Sequence, residues 1–448
     1  MLKLGVKNNS NLTAELKQAL LLFLFLIPLF FQLSGSFFTS DDFNYDSQGK
    51  LLFLPLPMAS VFCFIGIAFL LRLEKRHFGM GVIFSIFTLM MLSIVVSSAE
   101  SEEAELAKFI LLVQFILPMF ALVLGGLYIS PRSDYLRYEA IALYILLFVI
   151  PLEVISTLIK GGGLLSPDLY VFSLYQHLQY LPVIFMGLYL LAINSLYENK
   201  KLRYLVLFLA PWMGIYLAAS LSILTVILAV LGILVSFWYL NKNGKSWYGL
   251  ALIIFLCTSF TLFYPTIQAT GTYALKFDHE LDASIKEPIL MKKNGIQEKT
   301  YMNRFITVLP NNLKERFNYW EFYGKGVLES PKIFLFGHQV RPDRNKYPSA
   351  HNYYLDLIYH FGMVAMFPII YLIYVTVRNC SRFIRAKMLT PELAMLMVIV
   401  GFMVFADNFL KVSFHQPYSG MVAFFLWGVL LTKIGSNDKN EAGHRMER

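Results

Sequence analysis

The residues of this chain best suited to chemistry lie between 313 and 362. The stretch 313–328 reads as a helix on which Arg316 and Trp320, four apart, share a face. Pro331 and Gly337 end that helix and shape a turn, and His338 follows. Arg341 and Arg344 flank Pro342-Asp343, and His351 and Asn352 stand where the next apolar run begins. A histidine at the edge of a membrane gains or loses a proton near neutral pH. It could take the proton of a sugar hydroxyl as that hydroxyl attacks. An arginine beside it can hold a diphosphate with two hydrogen bonds and stabilise it as it leaves. Arg304, Arg316, Arg341 and Arg344 are the candidates for that contact.

The neighbouring residues have blander readings to set against the chemical ones. Asn352 suits the cap of the following helix, because Asn is favoured there. Asp356, one turn and a bit past His351, either orients the histidine or is a polar residue facing the protein interior. His338 either assists proton transfer or caps its turn, and His360 falls on a different part of the helix from His351. Tyr353 and Tyr354 fit an interfacial aromatic belt better than a sugar platform. Glu153 lies in an apolar run, where an ionisable group is costly, and near its outer end it can snorkel.

The elements that must position these residues are membrane helices. Of 448 residues 57% are hydrophobic and 15% charged, and apolar runs recur along most of the chain. In lipid only a helix or a closed barrel satisfies its own backbone, and a spanning helix needs about 20 apolar residues. The expected spans are 18–38, 51–71, 79–98, 108–129, 139–159, 177–196, 204–219, 221–240, 247–267, 352–377, 391–410 and 418–434. The fold class is thus an all-α polytopic membrane protein of about twelve transmembrane helices with one large loop. Within 204–240, Pro211 and the patch Ala218-Ala219-Ser220 are where the chain should break or turn. The first run reads as a retained helix, with no small-residue cleavage site clearly after it.

Charge orients the bundle. One set of connections carries Arg72, Lys75, Arg76, Arg132, Arg137, Lys200, Lys201, Arg203, Lys242, Lys245, Arg378, Arg382, Arg385 and Lys387. The alternate set carries Asp41, Asp42, Asp46, Glu100, Glu102, Glu103 and Glu105. The positive-inside rule puts the first set and both termini in the cytoplasm. The long segment 268–350 then lies outside it, after helices in 1–267 and before those in 351–434, with a cytoplasmic tail at 435–448. That loop holds thirteen Lys and Arg against nine Asp and Glu, a balance that fits either an anionic substrate or ordinary solvated charge. The overall charge of +9 sits mostly between apolar runs, so orientation explains it and nucleic acid is not expected. Cys63, Cys257 and Cys380 are scattered in or beside apolar runs, without metal-ligand spacing, and none falls in the loop.

This arrangement resembles the O-antigen ligase and O-antigen polymerase superfamily, membrane glycosyltransferases of bacterial surface-polysaccharide assembly. The shared elements are the Arg316–Trp320 helix, the Pro331 and Gly337 turn, and His351-Asn352 with Leu355, entering a helix that contains Gly362. The motif covers about 50 residues, and the span layout with its large loop extends the likeness over most of the chain. The resemblance implies an inner-membrane location and a transfer that needs no metal or other cofactor. The donor would be a glycan on undecaprenyl diphosphate, presented in the periplasm. The acceptor would be lipid A–core in a ligase, or another lipid-linked glycan in a polymerase. His351 would be the catalytic histidine, and basic loop residues would contact the diphosphate. One feature departs from the ligase pattern. Where a Ser-Arg pair is usual, this chain reads Ala219-Ser220-Leu221-Ser222-Ile223, with no arginine after the serine. A transporter of lipid-linked glycan should show repeated halves and polar groups at mid-depth, and few are evident here. A non-enzymatic scaffold would have no need of the loop arginines.

Overall fold

The computed structural model describes residues 78–97, 102–128, 181–193, 200–219, 222–270, 311–338, 346–347 and 349–446, with a few isolated positions. The described residues are helical, with no strand among them. In order the helices are α1 (Phe78–Val96), α2 (Glu102–Tyr128), α3 (Leu181–Ile193), α4 (Lys200–Ala219), α5 (Ile223–Lys242) and α6 (Ser246–Thr270). Then come α7 (Asn311–Val327), α8 (Pro331–Phe336), α9 (Tyr353–Arg385), α10 (Pro391–Phe402) and α11 (Pro417–Met446). A π-turn, Met403–Asp407, carries α10 on into a last short turn, Asn408–Leu410.

Seven of these helices are long and apolar enough to cross a membrane, and two shorter apolar helices, Pro182–Ile193 and Leu202–Ala218, accompany them. The chain is a multi-pass membrane protein. These helices coincide with nine of the twelve expected spans; those at 18–38, 51–71 and 139–159, with Glu153, fall almost wholly outside the described residues. Large apolar side chains stay exposed along α1, α5, α6 and the second half of α9, among them Phe84, Leu234, Leu262 and Phe367. Such faces suit lipid rather than water. Within 204–240 the chain breaks at the small-polar patch, and the Ser222 hydroxyl accepts from the Thr225 N–H to cap α5. Pro211 breaks nothing and sits inside α4.

Small residues let the central helices touch. A Cβ at Gly125 of α2 would lie 2.0 Å from the Phe425 carbonyl oxygen of α11, and one at Gly428 of α11 would lie 2.0 Å from that of Leu122. The two backbones therefore meet directly, as small residues allow in membrane bundles. Beside this pair the buried rings of Phe115, Tyr353, Phe361, Phe414 and Trp427 fill the core.

The feature that shapes the site is a break in α9. Gly362 has φ 76° and ψ 174°, which divides α9 into a short first segment and a long second one. The loop reaches into this break. A Cβ on Gly362 would lie 2.1 Å from the Leu335 carbonyl oxygen, and one on Gly337, itself at φ 76°, 2.5 Å from the His360 carbonyl. Only glycine tolerates both the dihedral and the approach. The His338 N–H donates to the Tyr359 carbonyl at 2.8 Å, occupying an acceptor that the break takes out of the helical ladder. The Ser93 hydroxyl of α1 donates to the Phe336 carbonyl at 2.5 Å. The end of α8 is thus tied by one backbone bond to the first segment of α9 and by the Ser93 hydroxyl to α1. The sequence places Pro331 at the end of the preceding helix. Instead α7 ends at Val327, and Pro331 starts α8 behind the Ser330 cap, where its missing N–H costs nothing.

Candidate functional site

His351 lies at the mouth of α9, in the turn just before the helix. Its φ is 47°, a left-handed conformation uncommon for a residue with a side chain. The turn is tied on both sides. After it, the Asn352 Oδ1 accepts from the Tyr354 and Leu355 N–H groups, both at 3.0 Å, and caps α9 as expected. Before it, the Ala350 N–H donates to the Asp356 Oδ1 at 3.2 Å. The His351 N–H donates to the Ser349 hydroxyl at 3.3 Å.

Helix α7 supplies the face opposite the imidazole. The Tyr319 ring stacks on His351, with centroids 5.4 Å apart and planes 21° from parallel. Arg316 stands close enough to repel the imidazolium, and Nη1 of Arg316 donates to the Leu410 carbonyl at 2.5 Å. Trp320 packs edge-on against Phe317 of α7 and Phe409, with centroids 5.3 and 5.8 Å apart. Arg316 and Trp320 therefore share a face, as their spacing implies, and that face docks α7 on the turn that ends α10. The Tyr353 N–H donates to the Lys411 carbonyl at 3.0 Å, so the start of α9 meets the same turn.

The electrostatics of the turn are one-sided. Burial, helped by the Arg316 cation, pushes His351 down to about 4. Its imidazole is neutral at neutral pH, with Nδ1 buried and without a hydrogen-bond partner. A neutral imidazole can accept a proton; an imidazolium cannot. Burial, with Glu315 and Tyr347 adding to it, raises the Tyr319 phenol, so that ring stays protonated beside it.

Asp356 is 3% exposed and lies between two imidazoles. Its Oδ1 is 3.9 Å from the His360 Nε2 and its Oδ2 is 3.9 Å from the His415 Nδ1. The Phe115 ring of α2 packs on His415, with centroids 5.1 Å apart. His360, on a different part of the helix from His351, lies beside the same carboxylate. Among the described residues, no group of three His, Cys, Asp or Glu side chains is arranged to hold a metal ion.

The remaining expected residues divide. His338 stacks on Tyr359 with centroids 4.2 Å apart and lies 3.7 Å from Glu329. Burial lowers its pKa, against the Gly326 carbonyl and Glu329, which raise it. His338 thus braces the break in α9. Tyr353 is fully buried against Phe115 and Phe414, and Tyr354 donates its hydroxyl to the Val404 carbonyl at 2.6 Å. Tyr353 packs in the core and Tyr354 is partly buried against it. Arg304, Arg341 and Arg344 lie outside the described residues.

The sequence reading misses Tyr319, His415 and the Leu410–Lys411 turn. Comparison with known proteins finds no family model, no curated protein and no solved structure that matches the chain.

Proposed function

We propose that this chain is a membrane glycosyltransferase of the O-antigen ligase type, working on a lipid-linked donor at the outer face of the bacterial inner membrane. The observation that carries the reading is His351, a neutral, largely desolvated imidazole with a cation beside it, at the entry to a membrane-spanning helix. A donor that joins a sugar to a membrane lipid through a diphosphate presents its reacting bond at such a depth.

In the proposed reaction His351 takes the proton of an acceptor hydroxyl as that oxygen forms a bond to the anomeric carbon. The bond from that carbon to the diphosphate breaks, and the electron pair leaves with the diphosphate lipid. Arg316 offsets the charge on the leaving group, with Arg304, Arg341 and Arg344 as the further expected contacts. No arginine follows Ser220 or Ser222, so no Ser-Arg pair supplies the anchor and these loop arginines take its place. Arrival of the anionic diphosphate raises the affinity of His351 for a proton. Its basicity therefore grows when donor is bound. The donor is a glycan on undecaprenyl diphosphate, and the acceptor is lipid A–core in lipopolysaccharide assembly. The same chemistry, with a second lipid-linked glycan as acceptor, makes the chain a polymerase.

The banding pattern of surface glycan in a deletion strain tests this reading. Loss of a ligase strands full-length glycan on the carrier lipid, and loss of a polymerase leaves single repeat units on the acceptor. An unchanged pattern contradicts both.

A further inference from the structure

Two side chains of one helical turn fix the backbone on either side of His351. Asn352 binds forward, to the N–H groups that start α9. Asp356 binds backward, to the Ala350 N–H. Between these ties His351 is held at φ 47°. A side-chain-bearing residue in such a conformation is strained and persists only where its surroundings impose it. Asp356 is the one acidic side chain in the first turn of α9, where the helix dipole favours a carboxylate. It is also sealed from solvent, with His360 and His415 facing its two oxygens.

We propose that Asp356 is the positioning residue of this site. Through the Ala350 N–H it holds the turn that aims the His351 imidazole, with His360 and His415 each 3.9 Å from the carboxylate. The proposal rests on the glycan-transfer reading for its kinetic consequence, but the geometric one stands without it. The bond to Ala350 needs an oxygen acceptor and not a charge, so an amide can replace the carboxylate where a methyl cannot.

The test uses full-length protein in detergent, with Asp356→Ala and Asp356→Asn beside the parent chain. Three quantities are measured: carbethoxylation of His351 by diethyl pyrocarbonate, followed by mass spectrometry; hydrogen exchange at Ala350; and transfer kinetics. Asp356→Ala should change the His351 modification rate several-fold and lower kcat by about tenfold to a hundredfold, the usual effect of a small misplacement, with little change in donor KM. Asp356→Asn should restore both toward the parent values. Unchanged modification and kcat in Asp356→Ala overturn the proposal, as does an Asp356→Asn variant as impaired as Asp356→Ala. If Asp356→Ala does not fold, exchange in the parent chain decides. A slowly exchanging Ala350 amide agrees with the tie, and one exchanging at the rate of an open loop contradicts it. Full transfer by His351→Ala would sink the catalytic reading while leaving the modification and exchange results to judge Asp356.

Discussion

The imidazole of His351 lies face to face with the ring of Tyr319, 5.4 Å between centroids. One residue belongs to the mouth of a membrane-spanning helix and the other to a helix of the large loop. Their contact joins loop to bundle where the proposed reaction takes place. The flat ring covers one face of the base.

Replacing His351 should therefore remove transfer and leave the bundle intact. General-base catalysis contributes about 10²–10⁴-fold, so His351→Ala should lower kcat by that much. Yield in the membrane and thermal unfolding should remain near those of the parent chain. Transfer within about twofold of the parent contradicts the assignment.

The acidic limb of the rate profile should lie near pH 4, because His351 is held at about 4. An undisturbed imidazole would put it near 6.5. The sign follows from the base role: activity needs the neutral ring, is complete above the pKa and falls as pH drops through it. This applies to kcat/KM, which reports the free enzyme. The limb of kcat should lie higher, since bound diphosphate favours the imidazolium. A kcat/KM limb at 6.5 contradicts the buried setting of the ring.

Arg316→Ala should act at two places. Loss of the cation relieves repulsion of the imidazolium, so the acidic limb of kcat/KM moves upward. Loss of the bond to the Leu410 carbonyl loosens α7 from the end of α10. Transfer should fall by about tenfold to a hundredfold, the scale of one hydrogen bond to a charged group. A profile that keeps its limb while activity falls would separate Arg316 from His351.

The break in α9 gives a prediction about stability. Gly362→Ala introduces a Cβ 2.1 Å from a backbone oxygen at φ 76°, and the backbone of α8 must move. Destabilisation by about 2 kcal/mol or more is expected, the scale of a strained dihedral with a clash. Gly324→Ala, with nothing within 4 Å of the new Cβ, should be neutral or mildly stabilising in α7. Thermal unfolding of the two variants compares them directly, and equal midpoints contradict the close approach.

Much of this arrangement was legible locally. Continuous apolar runs locate the spans, Asn352 announces a cap, and the four-residue spacing of Arg316 and Trp320 places them on one face. His415 was not legible. It reaches Asp356 from the turn before α11, and no local periodicity encodes a contact between that turn and the first segment of α9. Tyr319 stood inside the helix that the sequence marks, yet in the aromatic series Phe317, Tyr319, Trp320, Phe322 and Tyr323 nothing singles out the ring that meets His351. Pro331 was read as a stop, although proline suits a first turn equally well.

The most direct test of the central claim is reconstituted transfer. The purified chain is placed in vesicles with an undecaprenyl-diphosphate-linked glycan as donor and lipid A–core as acceptor, beside the same preparation carrying His351→Ala. The account predicts glycan joined to the acceptor with the parent chain and almost none with the variant. Equal product from both, or none from the parent with lipid A–core or with a second lipid-linked glycan, would contradict it.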